Sequence, residues 1–224
     1  MTGLLTGKRV LITQSTDWVG PVLVKAFTAE GAAVHADEGS LASPDAINRF
    51  SPIGHIDILI AHLAIPAPQT RAAEVSDDEW RNVFNHLVDP LPRLIRHVLP
   101  GMIERRSGKI IVIGSAAAFR GMKRTSTYSA ARGAQVSYVR AVGAEVAAHN
   151  VQVNLVAPNF IDTPTYFPPE VQALDAFKQR LKSEVPAGRM GTPEELASFV
   201  TFLASDKANF FAGQSFPISG GWVA

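Results

Sequence analysis

The chain has no cysteine, which excludes a disulfide framework and any thiolate metal site and fits a cytoplasmic protein. An excess of one charge is missing too: 21 Lys and Arg stand against 20 Asp and Glu, interspersed, for a net charge of +1. No basic stripe interleaved with aromatics appears, so nucleic acid and anionic membrane are not expected as partners. No apolar run approaches the length of a membrane span, and the opening MTGLLTGKRV lacks the apolar centre of a secretory signal, so a soluble intracellular chain is expected. The histidines, His35, His55, His62, His86, His97 and His149, show no paired spacing, so no metal is expected and they are read as surface or structural residues. Repeats and low-complexity tracts are absent. What is present is hydrophobic material, 46% of 224 residues against 18% charged, which suits one domain over residues 1–224 with a large core.

Strand and helix patterns alternate. KRVLIT at 8–13 reads as a buried strand, VGPVLVKAFTAEG as a helix ended by Gly31, and AAVHAD at 32–37 as a second strand. This is a βαβ opening, whose first turn ordinarily cradles a pyrophosphate. Further strands are HIDILIAH from His55, KIIVIGS running into Ser115, NVQVNLV, and a last one in GQSFPISGGW. Residues 76 to 106 begin with an N-cap serine and two acids and then show helical periodicity, with Pro90 and Pro92 expected to kink or split the helix. EVQALDAFKQRLKSE and TPEELASFVTFLASD are helical, the second opened by Thr192, Pro193 and Glu195.

Between the fourth strand and the next helix lies a serine, Ser115, then Tyr128 thirteen positions on, and Arg132 four beyond it. Residues i and i+4 share a helix face, so Tyr128 and Arg132 point together. A phenol is a poor base at neutral pH unless a cation holds its anion. Unit charges about 4 Å apart at an effective dielectric of about 20 interact by roughly 4 kcal/mol, an upper figure equivalent to about three pK units. Ser115 would hold the substrate oxygen for proton transfer. Ser126 reads as the helix cap and Glu145 as a salt-bridge residue.

In order and spacing, this strand, the Ser-Tyr set, its helix and the following strand resemble the short-chain dehydrogenase/reductase superfamily. That resemblance covers nearly the whole chain. It implies an α/β fold: a single-domain Rossmann-like, doubly wound parallel sheet flanked by helices. It also implies a homotetramer built through the helices of 76–106 and the Tyr-bearing helix. The family carries lysine where this chain has Arg132, and a planar guanidinium is not interchangeable with an ammonium. A Ser-Tyr-Arg set on this scaffold is similar to that of the halohydrin dehalogenases, which use no nicotinamide.

The nucleotide turn fits that resemblance. Where the superfamily has Thr-Gly-x-x-x-Gly-x-Gly, this chain has Thr13, Gln14, Ser15, Thr16, Asp17, Trp18, Val19 and Gly20, so two of three glycines are gone. Trp18 fills the space sterically and Asp17 places a carboxylate where phosphate oxygens would lie, so no cofactor is expected. Between Asp37 and His55 the stretch EGSLASPDAINRFSPIG has room for at most a stub and a short helix, which shortens the adenosine half of the site. Asp37 is read as a strand-end residue, and Asp57 matches the superfamily's structural aspartate. The usual Asn-Asn-Ala-Gly run is replaced by Ala61, His62, Leu63 and Ala64.

What the resemblance implies is a carbon–halogen lyase: Tyr128 takes the hydroxyl proton of a vicinal halohydrin, Ser115 holds the oxygen, and Arg132 stabilises the tyrosinate. The partners implied are a halohydrin or epoxide and a halide or other small anion. Halide binding carries over onto Trp18, Pro158, Asn159, Phe160 and Ile161, with the backbone amides of 159–161 as donors in a turn-like nest. The substrate side is expected from Ala117, Met122, Thr125, Tyr166, Phe167 and the loop from Ile65 to Pro68. Some relatives orient the arginine with a carboxylate from the strand before this loop; residues 61–70 contain none. The rival readings are an NAD(P)-dependent short-chain reductase with an atypical turn and a non-catalytic small-anion-binding relative.

Overall fold

Six runs of apolar residues form six parallel strands, and in the computed structural model, which describes residues 3–223, their order is β2-β1-β3-β4-β5-β6. The strands are β1 (Arg9–Ile12), β2 (Ala33–Ala36), β3 (Ile58–His62), β4 (Gly108–Ile113), β5 (Val151–Pro158) and β6 (Ser215–Ile218). Strands β3 and β4 are buried at every position, as expected when helices cover both faces of a parallel sheet. On one face α1 (Gly20–Ala29) and α7 (Pro193–Ala204) pack against Ile12, Ile58, Ile60 and Ile111. On the other lie α2 (Asp77–Leu87), α3 (Pro90–Arg105) and α4 (Ser126–Val146), over Leu59, Ala61, Ile110 and Val112. The fold is the doubly wound, Rossmann-like α/β domain expected.

The long helix of 76–106 is split, not kinked. Helix α2 ends at Leu87 and α3 starts at Pro90, whose ring is accommodated at a helix start where no N–H partner is needed. A second break was not expected: 170–184 divides at Leu174 into α5 (Pro169–Ala173) and α6 (Asp175–Glu184). Helix α4 differs in detail, because Thr125 and not Ser126 occupies its N-cap, with no side-chain cap bond. Glu145 makes no ion pair among the described residues. Thr192 and Glu195 form a reciprocal capping box on α7.

The shortened half is visible in the sheet. Only β2 lies outside β1, and 44–53 form a single 3-10 segment tucked under the opposite face by Ile47 and Phe50. Its Arg49 reaches back and holds Asp37 with two bonds of 2.7 Å. At the other end of the sheet Asp57 accepts from the Arg9 amide at 2.8 Å, while its carbonyl accepts from Lys109 N at 3.0 Å. That ties β1, β3 and β4 in register.

Candidate active site

In an open parallel sheet the crevice forms beyond the carboxyl ends of the strands, where the strand order reverses. Here that point lies between β1 and β3, and a cavity of about 750 Å³ opens there, walled by the ends of β4 and β5, the start of α4 and the loop after β5. Ser115, Tyr128, Arg132, Trp18, Pro158, Asn159, Phe160, Ile161, Met122, Thr125, Tyr166 and Phe167 all line it. Ala117 does not; it is buried in the main core and meets the site only by donating its amide to Ser115 Oγ at 3.2 Å. Of the loop from Ile65 to Pro68, Ala67 reaches the cavity.

Tyr128 and Arg132 sit one turn apart on α4, 5% and 3% exposed. The guanidinium carbon lies 4.9 Å from the centre of the Tyr128 ring, within cation–π range. Arg132 Nη1 donates to the Ile113 carbonyl at 3.3 Å and to Gln135 Oε1 at 3.1 Å. Its Nε is buried without a partner, and no carboxylate pairs with it among the described residues. Burial pushes the Tyr128 phenol up. The charge of Arg132, with hydrogen bonding among Tyr128, Tyr166, Arg132 and Ser115, outweighs it and holds Tyr128 below the usual tyrosine value. Tyr166 goes the other way: burial of its hydroxyl, and then the neighbouring Tyr128, keep it protonated far above that value. One phenol of the pair is poised to ionise and the other to stay protonated, the single Tyr166 O–H donating to the Ile65 carbonyl at 3.3 Å.

The nucleotide turn retains the backbone of a glycine loop and fills it with side chains. Gln14 and Trp18, at the two lost glycine positions, have φ of +45° and +52°, left-handed conformations that cost a side-chain-bearing residue roughly 1–2 kcal/mol. The remaining Gly20 is required, since a Cβ there would lie 2.6 Å from the Ser15 backbone. The Gln14 side chain acts like a strand edge, accepting from Ala64 N at 2.6 Å and donating to Ala64 O at 3.1 Å. The Trp18 indole packs on Tyr166, with ring centres 3.4 Å apart, at the cavity wall. With the indole in place and Asp37 held by Arg49, the turn lacks the open glycine cradle that a dinucleotide's pyrophosphate ordinarily takes. Asp17 is exposed and does not line the cavity, so the carboxylate expected there does not reach it.

The expected nest of amides after Pro158 is also reduced. Asn159 N donates to the Ile218 carbonyl at 3.1 Å, and Phe160 N is capped by the Asn159 side chain at 3.0 Å. This leaves the Ile161 amide, the Trp18 indole N–H and the edges of Phe160 and Phe167 as candidates for a weakly hydrated anion.

Three features were not legible beforehand. Gln135, fully buried one turn after Arg132, was hidden as one polar residue in a small-residue helix. The cavity lining also includes Arg120, Lys123, Arg180, Glu184 and the buried Trp222, which come from distant segments. His62 is buried at the cavity floor, its Nδ1 3.0 Å from the Gln14 carbonyl. Burial lowers its pKa to about 4, the Gln14 bond opposing and the charge of Arg132 adding. The unfolded chain therefore binds one more proton than the folded one between about pH 6.5 and about 4, so stability is full above that window and falls as pH drops through it, by about 3 kcal/mol in all. Denaturant midpoints across this window should show the loss, and His62→Gln should remove most of the difference. No group of three or more metal-ligating side chains occurs, and no helix is long and apolar enough to cross a membrane, among the described residues.

Comparison with known proteins agrees on the scaffold and divides on the activity. The family described as Enoyl-(Acyl carrier protein) reductase matches residues 21–223. The chain is 30% identical over 244 residues to the 3-oxoacyl-acyl-carrier-protein reductase FabG of Vibrio harveyi, covering 97% of this chain and 98% of that one. It is 36% identical over 203 residues to the FabG of Pseudomonas aeruginosa, covering 88% and 79%. Among solved structures, a dehalogenation enzyme superposes with a TM-score of 0.88 at 29% identity, covering 98% of this chain and all of that one. The halohydrin dehalogenase HheC bound to ethyl (2S)-oxiran-2-ylacetate superposes at 0.86 with 26% identity, covering 97% and 98%. By sequence and by fold the chain belongs to the short-chain dehydrogenase/reductase superfamily, and the two structural neighbours named are a dehalogenation enzyme and a halohydrin dehalogenase.

Proposed function

We propose that the protein is a halohydrin dehalogenase, closing vicinal halohydrins to epoxides without a cofactor. Tyr128, as phenolate, takes the hydroxyl proton; the alkoxide attacks the adjacent carbon as the carbon–halogen bond breaks, and halide and a proton leave with the epoxide. Ser115, which lines the same cavity as Tyr128, holds the substrate oxygen, and Arg132 carries the charge that makes the phenolate available. Microscopic reversibility gives the opposite reaction, in which azide, cyanide, nitrite or halide opens an epoxide. The observation that carries this reading is the pairing of an acidified Tyr128 with an indole, Trp18, at a glycine-shaped position where a dinucleotide would lie.

The kinship with FabG reductases is the reason to keep the reductase alternative in the test. Bromohydrins are incubated with the purified chain in the absence of cofactor while bromide and acid are followed, and the same preparation is titrated with NADH and NADPH. Bromide release without cofactor, and no saturable nucleotide binding, is the expected result. Nucleotide binding in the micromolar range with no bromide release would replace this reading by the reductase one. Halide binding with no turnover of any halohydrin would favour a non-catalytic anion-binding relative.

A further inference from the structure

Buried guanidinium groups are ordinarily paired with a carboxylate, because desolvating the charge is expensive and an opposite charge offsets it. Arg132 departs from this. Its distal nitrogen meets two neutral oxygens, Ile113 O and Gln135 Oε1, and Nε has no partner. The amide of Gln135 is itself fixed: Nε2 donates to the Leu87 carbonyl at 2.6 Å, one of the carbonyls left open at the end of α2. With Nε2 committed there, Oε1 has to face the arginine. The chain Leu87 O, Gln135, Arg132, Tyr128 therefore runs from a helix end to the phenol through one neutral side chain, and Gln135 is fully buried within it.

We propose that Gln135 is the positioning residue for the catalytic cation: it aims Arg132 at Tyr128 through an amide and leaves the guanidinium charge uncancelled. A carboxylate at the same place would aim the arginine equally well but would offset its charge. The phenol would then lose the reason to ionise. Since Gln135 lies at i+3 from Arg132, both side chains come from one helix face and need no loop to bring them together. The other ionisable groups facing Tyr128 leave the arginine dominant. Tyr166 stays protonated and His62 neutral. Glu79 of α2 is taken by Thr127 Oγ1 at 2.7 Å, and Arg120, Lys123, Arg180 and Glu184 line the same cavity.

The inference rests on Tyr128 being the base, so its test reads ionisation and turnover separately. Tyrosinate absorbance, as the difference between each protein and its Tyr128→Phe counterpart, is titrated without substrate. Gln135→Glu should raise the Tyr128 pKa by about one unit or more, and below that pKa should slow bromide release about tenfold per unit. The acid limb of the pH–rate profile should move with it while the alkaline plateau is kept. Gln135→Met, which cannot aim the arginine but adds no charge and leaves no carboxylate against the Leu87 carbonyl, should raise the pKa less and lower the plateau. Circular dichroism melting tracks the fold of each. An unchanged Tyr128 titration in both folded variants overturns the proposal, as does a Gln135→Met shift equal to that of Gln135→Glu. A shifted titration in a protein that releases no bromide from any halohydrin would sink the proposed activity and leave the role of Gln135 standing.

Discussion

Tyr128→Phe should release bromide from bromohydrins about 10²–10⁴-fold more slowly than the wild-type chain, the range that a positioned general base contributes. The substitution removes one oxygen and little else. The ring stays buried on α4 and keeps its face toward Arg132. What is lost is the phenol whose ionisation the site favours, while Tyr166 is held protonated and His62 neutral. The pH dependence supplies the sign. Phenolate is the working form, so the wild-type rate should rise with pH through the lowered pKa of Tyr128 and then level off, whereas the variant should show a small rate without that rise. Initial rates of bromide release from about pH 5 to about 10 check both points. A variant retaining more than about a tenth of the wild-type rate would remove Tyr128 from the chemistry.

The sequence makes one part of this site plain because helical spacing is rigid. Tyr128 and Arg132 at i and i+4 have no choice but to share a face, and Ser115 at the end of a buried strand has no choice but to meet them. The truncated half of the sheet is equally legible, since the residues between Asp37 and His55 are too few for a strand and a crossover helix. The loops are another matter. The turn holding Gln14 and Trp18 reads as a lost glycine motif, yet its backbone keeps the left-handed angles that glycine would take. That conformation is fixed by contacts distant in sequence, Gln14 with Ala64 and His62 with the Gln14 carbonyl. The same holds for the amides after Pro158: which are free depends on the register of β6, and Ile218 claims Asn159. Tyr166 shows a third kind of limit. Its place in the loop marks it as a cavity wall, but that its ring packs on Trp18 and its hydroxyl bonds the Ile65 carbonyl follows only from how the loop folds back.

Arg132→Met should lose as much activity at neutral pH as Tyr128→Phe but, unlike it, should recover in alkali. Without the guanidinium, burial becomes the dominant influence on Tyr128 and carries its pKa above the ordinary value near 10. At pH about 7 the phenolate would then be less than about one part in a thousand, and the rate should climb about tenfold with each unit of added pH. Methionine fills most of the stem volume, so packing against Tyr128 changes little, although Gln135 Oε1 and Ile113 O lose a donor at a cost of about 1–3 kcal/mol each where no water replaces it. Arg132→Lys should fall between. An ammonium keeps the charge, but it is a compact point charge with no planar face to lay over the ring. Because Arg132 pairs with no carboxylate among the described residues, its loss should show in full in the Tyr128 titration. A variant whose rate stays low and flat with pH would mean that the arginine acts by contacting substrate or holding the site's shape, and the cation would no longer explain the acidity of the phenol.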